Sequence, residues 1–234
     1  MTGRSLGAVT QRPYVTLSAA VSIDGYLDDA SPERLLLSNP ADFDRVDELR
    51  ADSDAVLVGS TTLRRDNPRL LVNDPARRAA REAAGRPAYP LKVTLSGSGE
   101  LAAGLRFWHT GGERLVYSTD RGARRLTGEL AGLAEVVALG PAVHLGAVLD
   151  DLGRRGVRRL MVEGGGSVHT QFLSEGLADE LQLAVAPLLV GDAAAPRFVN
   201  PADFPGGSTR RLRLLEARTV GDVVLLRYAP KESA

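Results

Sequence analysis

Glu163 stands directly before three glycines and a serine, in the run Leu160-Met161-Val162-Glu163-Gly164-Gly165-Gly166-Ser167-Val168. The apolar residues ahead of it read as a buried strand, and those behind as the start of a helix. Glycines at a strand-to-helix turn let backbone N–H groups come close to an anion, because no Cβ stands in the way. The helix start adds unpaired N–H groups and the positive end of its dipole. A carboxylate at the mouth of such a turn repels phosphate. Glu163 therefore suits a hydrogen-bond donor on a ring, an amide or an amino group. Taken alone, the glycines are explained equally well as a plain tight turn, and the run lacks the G-x-G-x-x-G spacing of a dinucleotide fingerprint.

Three more polar turns follow short apolar runs. They are Ser22-Ile23-Asp24-Gly25, Ser60-Thr61-Thr62 and Ser96-Gly97-Ser98-Gly99. In a parallel sheet all four strand ends fall on one edge, and together they make a polar cleft suited to a nucleotide. The bland alternatives are turn bonding for Asp24 and helix capping for the hydroxyls. Arg50, near the end of an expected helix, either complements the dipole or reaches a substrate anion.

Composition removes other chemistries. The 234 residues include no cysteine, so there is no thiol nucleophile or disulfide frame, in keeping with a reducing cytoplasm. His109, His144 and His169 stand at no metal-ligand spacing, so no metal centre is expected. No nucleophile elbow and no Walker A lysine occur. The 29 basic and 29 acidic residues balance, which argues against nucleic acid or an anionic membrane as partner. No apolar run reaches the length of a membrane span. Met1–Arg12 lacks the apolar core of a signal peptide and reads as a flexible tail, with a single domain over residues 13–230.

The elements that must position these residues alternate. Strands are expected over 14–21, 54–59, 91–95, 114–117, 134–139 and 158–162. Helices are expected after Asn39-Pro40 and over 121–133, 145–155 and 170–176. Residues 69–73 read as a short extended piece, and 75–90 as a surface helix and loop. Alternation at this interval implies parallel strands with helices on both faces. The pattern then changes to a long strand over 177–190 and two strands over 212–217 and 222–228, an antiparallel hairpin added to the sheet.

The blocks S-I-D-G (22–25), D-A-V-L-V-G-S-T-T-L-R-R-D-N-P-R-L (54–70), V-E-G-G-G-S (162–167) and L-A-D-E-L-Q-L-A-V-A-P-L-L-V-G (177–191) resemble the pyrimidine reductase of riboflavin biosynthesis. The resemblance covers residues 13 to 229. It implies an α/β, dihydrofolate-reductase-like three-layer fold, with a mostly parallel central sheet and an antiparallel C-terminal hairpin. It implies NADPH as hydride donor, a small pyrimidine substrate and a homodimer. In effect, the family's reaction reduces the ribosylamino group of a 5-amino-6-(5-phosphoribosylamino)uracil-type pyrimidine to ribitylamino. By the same resemblance, Thr62, Asp66, Ser96, Gly164, Gly165, Gly166, Ser167 and Val168 match cofactor-contacting positions, and Ala20 lies beside the nicotinamide. Ser38, Arg50, Leu70, Asn73 and Glu163 match substrate-side positions. Glu163 or Asp66 is the candidate for moving the catalytic proton. Ser118 and Arg121, near a strand end, are suited to a 2′-phosphate. No deaminase of the bifunctional type is expected within this chain, which lacks that chemistry's zinc-binding residues.

Two departures stand out. The family's first strand usually carries a basic or amide side chain where this chain has Ser18, and a basic residue meets the substrate phosphate where this chain has Asn73. Arg34, Arg64, Arg65 and Arg69 are the candidates to compensate. The alternatives are a reductase acting on another heterocycle, such as dihydrofolate or a pterin, and a non-catalytic NADPH-binding protein.

Overall fold

The structure is a computed structural model and describes residues 11–230. The tail expected over Met1–Arg12 lies outside the described residues up to residue 10. Arg12 is anchored, with its guanidinium on Asp150 at 2.6 and 3.0 Å.

Nine strands form one sheet: β1 (Tyr14–Ser22), β2 (Ala55–Gly59), β3 (Leu91–Ser96), β4 (Arg114–Ser118), β5 (Glu135–Ala138), β6 (Arg159–Val162), β7 (Glu180–Ala186), β8 (Arg213–Val220) and β9 (Val223–Ala229). Their order is β5-β4-β3-β2-β6-β1-β7-β9-β8. Pairings from β5 through β7 are parallel, and β9 runs antiparallel to both β7 and β8. This is the expected parallel sheet with an antiparallel C-terminal hairpin.

The central strands read as continuous apolar runs because both faces are covered. Side chains alternate along β2 and β6. Leu57, Leu160 and Val162 pack on one face with Val148, Leu152 and Phe172, which come from α6 (Leu145–Arg154) and α7 (Gly166–Ser174). Val56, Val58 and Met161 pack on the other with Leu63, Trp108 and Leu126, which come from α2 (Ser60–Asp66), α4 (Arg106–His109) and α5 (Asp120–Glu129). Each such leucine stabilises the fold by about 2 kcal/mol.

Local chemistry sets the remaining helices. α1 (Pro40–Asp52) starts where Asn39 Oδ1 accepts the Asp42 N–H at 2.9 Å, with proline at the first position. α3 (Pro75–Ala83) repeats this device with Asp74, which accepts the Ala76 N–H at 2.7 Å.

Three expectations are corrected. The strand expected over 177–190 is only β7, seven residues long. Asp179 ends the preceding turn by bridging to Val15, its N–H donating at 3.0 Å and its carboxylate accepting at 2.7 Å, and Pro187 stands beyond the strand. Residues 69–73 are not extended in a ladder, because Leu70 lies in the left-handed region at φ 48°. The turn Ser22–Gly25 does not join the cleft. Asp24 accepts from Ser22 Oγ at 2.6 Å and from the N–H of Gly191 at 2.8 Å, and so braces the loop after β7.

Candidate active site

A cavity of about 1000 Å³ opens at the carboxyl ends of the central strands. Three of the four polar turns reach it, at Gly59–Thr62, at Gly97 and at Glu163–Val168. The parallel sheet brings them together, since Leu57 pairs with Val162 and Gly59 with Leu95 across adjacent strands.

One wall is backbone. The Gly59 N–H donates to the Gly164 carbonyl at 2.7 Å, tying the start of α2 to the glycine turn. Neither α2 nor α7 has a side-chain cap, since Gly59 and Gly165 hold those positions. Their first N–H groups have no partner inside the helix. A Cβ on Gly165 would stand 2.8 Å from Thr62 Oγ1, and one on Gly166 would collide with the Arg197 carbonyl. Gly164 has φ 104°, and a Cβ there would stand 2.8 Å from Cε1 of His169. This cradle, open to an anion and closed to side chains, fits a dinucleotide diphosphate.

His169, excluded above as a metal ligand, is a core residue of this wall. Its ring is fully buried beneath the turn, beside Phe198 at 5.1 Å, and the Val162 backbone is the one polar group among the described residues that acts on it. Burial lowers its pKa to about 4, so it is neutral at pH 7.

The opposite wall is made of charged side chains. Glu163 faces Arg50 in a two-pronged pair, with Nε to Oε1 at 2.5 Å and Nη2 to Oε2 at 2.7 Å. Burial opposes the charge on Arg50, but the Glu163 carboxylate outweighs it and raises the guanidinium above its ordinary pKa. The remaining Arg50 donor, Nη1, holds the Leu71 carbonyl at 3.1 Å. Arg50 lines the cavity with its guanidinium held by Glu163 and the Leu71 carbonyl.

The segment 67–74 is stapled along its length. Arg106 Nε holds the Asn67 carbonyl at 3.0 Å, and Arg78 holds those of Val72 and Asn73 at 2.8 and 2.7 Å. Asp47 accepts the N–H groups of Asn73 and Asp74. Buried Lys92 donates to the carbonyls of Arg69 at 3.2 Å, Thr110 at 2.6 Å and Phe107. Burial and nearby Arg114 pull Lys92 down to about 7. The three carbonyls oppose this, because they match the three protons of the ammonium. A leucine in the left-handed region costs about 1–2 kcal/mol, and these bonds hold Leu70 there. No periodicity signals such staples, because they come from four separate elements.

The other candidates are placed as follows. Ala20, Ser38, Thr62, Asp66, Leu70, Asn73, Ser167 and Val168 line the cavity. Ser96 and Gly164 do not: the Ser96 hydroxyl is buried without a partner, and Gly97 forms the wall at that strand end. Asp66 is half-buried, and desolvation raises its pKa against the pull of Arg34. Ser18 pairs in register with Gln182 of β7, whose Oε1 accepts from Arg45 Nη1 at 2.9 Å. Ser18 and Arg45 both line the cavity, while Gln182 stands behind them and donates its amide to Glu180 at 2.9 Å.

Residues 13–226 match the model of the RibD C-terminal domain family. The chain is 33% identical over 212 residues to the 2,5-diamino-6-ribosylamino-4(3H)-pyrimidinone 5′-phosphate reductase of Archaeoglobus fulgidus, covering 90% of this chain and 95% of that one. It is 31% identical over 222 residues to the protein of the same name from Methanothermobacter thermautotrophicus, covering 94% and 99%. Among solved structures it is similar to Acinetobacter baumannii RibD, with a TM-score of 0.78 and 27% identity over 94% of this chain and 59% of that one. It thus spans little more than half of that RibD chain. The chain belongs to the RibD C-terminal domain family.

Proposed function

We propose that this protein is the NADPH-dependent reductase that converts a ribosylaminopyrimidine 5′-phosphate to its ribitylamino product in riboflavin synthesis. The observation that carries the reading is the cavity that joins the glycine cradle to the Glu163–Arg50 pair. One wall takes a diphosphate and the other takes a ring bearing hydrogen-bond donors.

When bound, NADPH supplies the hydride. The chain's own residues orient and charge the site. Ring opening of the sugar moves the amino proton to the ring oxygen and leaves a C1′–N imine. C1′ then accepts hydride, and the nitrogen takes a proton. Asp66 is the proton donor, since burial keeps its proton above the usual carboxylate range. Glu163, locked by Arg50, accepts from the amino groups of the pyrimidine. Ala20, with no bulk on the β1 wall, leaves room for the nicotinamide. A smaller recess lined by Ser98, Glu100, Arg121 and Arg125 shares Gly97 with the main cavity, and Arg121 there suits the 2′-phosphate that separates NADPH from NADH, whereas Ser118 is buried with its hydroxyl on the Ser96 carbonyl. The protein works as a homodimer. β8 is an exposed edge carrying Leu212, Leu214 and Leu215 beside it or on it, an apolar strip that a second copy covers.

The test is NADPH oxidation with the 2,5-diamino pyrimidinone phosphate, its deaminated uracil counterpart and dihydrofolate offered in parallel. Turnover of a ribosylaminopyrimidine phosphate and not of dihydrofolate is expected. Turnover of dihydrofolate alone, or tight NADPH binding without turnover of any, would sink the reading. Sedimentation of the purified protein as a monomer would remove the dimer.

A further inference from the structure

The cavity wall is strongly positive in a chain of zero formal net charge: seven arginines face four carboxylates. Five of the arginines are engaged. Arg45 holds Asp42 at 2.7 Å and Arg50 holds Glu163. Arg65 pairs with Asp28 at 3.0 Å, and Arg106 grips Asn67. Arg197 donates to the Tyr26 hydroxyl at 2.6 Å and lies over its ring. The guanidinium groups of Arg34 and Arg69 make no hydrogen bond or ion pair with any described residue. Both are exposed at the cavity rim.

We propose, resting on the reductase reading above, that Arg34 and Arg69 receive the phosphate monoester of the substrate. They replace the basic residue that the family places where this chain has Asn73. The four arginines that sequence left as candidates are thereby reduced to two. Arg64 lies off the cavity wall and donates to the Glu100 carbonyl at 3.1 Å, and Arg65 is committed to Asp28.

Asn73 itself is committed as well. Its N–H and its amide both bond Asp47, a carboxylate that repels phosphate. Arg69 rises from the stapled segment, with its own carbonyl fixed by Lys92 at 3.2 Å, so its backbone is ordered before a ligand arrives. Arg34 comes from the segment between β1 and α1 that also lines the cavity, and it acts electrostatically on Asp66, at the start of the turn that leads to Arg69. Two guanidinium groups at a wet rim lose little solvation until an anion binds, and each can make a two-pronged bond to phosphate. The cofactor diphosphate is the other anion of this site. It already has the backbone cradle of Gly164–Val168, whereas Arg69 adjoins Leu70 and Leu71 on the Glu163–Arg50 side.

The experiment titrates ribose 5-phosphate, and ribose as control, into the NADP⁺-loaded protein by calorimetry. Ribose 5-phosphate binding is expected to weaken about tenfold in Arg34→Ala and in Arg69→Ala, and further in the double variant. NADP⁺ affinity is expected to stay within about twofold, by the independence of separate sites. Unchanged ribose 5-phosphate affinity in the double variant, or no binding by the unmodified protein, overturns the assignment. So does a loss of NADP⁺ affinity in its place, which would give the arginines to the cofactor diphosphate. This readout needs no turnover, so failure of the reductase reading would show separately, as absent NADPH oxidation with phosphate binding intact.

Discussion

The two walls of the cavity are built by opposite means. The glycine wall is two short backbone turns tied together at Gly59 and Gly164, nearly free of charge, and shaped by the Cβ atoms it lacks. The wall of residues 67–74 is also short in sequence, yet side chains from α1, α3, β3 and α4 hold it in place. A wall of backbone N–H groups suits an invariant diphosphate, whose charge it meets without adjustable parts. A wall of stapled side chains can be retuned residue by residue.

Substitutions that break one wall and leave the other sharpen this contrast. The largest effect is expected from Glu163→Gln. It leaves the largely buried Arg50 facing a neutral amide, lowers kcat by at least about a hundredfold and costs about 2–3 kcal/mol after allowing for partial exposure. Steady-state kinetics with urea denaturation would check both, and NADPH affinity should barely move. A variant with normal kcat would remove Glu163 from the substrate wall.

Gly164→Ala attacks the other side. It places a Cβ at positive φ and against the His169 ring, at a cost of about 2–3 kcal/mol. NADPH binding, read by fluorescence, should weaken at least tenfold, by about 1.4 kcal/mol. Equal weakening of ribose 5-phosphate binding would mean the walls are not separable.

His169→Phe isolates a pH effect beneath the glycine wall. The folded-state pKa of about 4 lies below the ordinary value of 6.5. The unfolded chain therefore binds more protons between these values. The stability linked to His169 is fully present above pH 6.5 and is lost as pH falls towards 4. Relative to the phenylalanine variant, the unmodified protein should lose roughly 2 kcal/mol between pH 7 and 4.5. Parallel pH–stability curves would show that the ring takes up its proton without penalty.

The smallest effect is expected on the substrate wall. Asn73→Ala removes one amide bond to Asp47 at 3.0 Å and should cost about 1 kcal/mol, with no change in NADPH affinity. A loss of several kcal/mol by thermal melting would mean that the segment depends on this one contact rather than on its set of staples.

The legibility of each region follows the range of its interactions. Strand–turn–helix units advertise themselves through local period and glycine placement, so the parallel sheet, the hairpin and the glycine turn were readable. The left-handed Leu70 was not, because leucine has no local preference for it and distant donors impose it. The fate of Asp24 also turned on distance, since the loop after β7 lies more than 160 residues away.

By itself, the sequence determined the layered α/β architecture, the strand–turn–helix around Gly164–Gly166 and the family, because each rests on residues close together in the chain. Only the tertiary structure decided that Arg50 belongs to Glu163, that Gln182 and Arg45 come together beside Ser18, and that the guanidinium groups of Arg34 and Arg69 have no hydrogen-bond partner among the described residues. The physical reason is that charges are assigned by proximity in space. A chain with equal numbers of acids and bases offers many pairings, and folding selects among them.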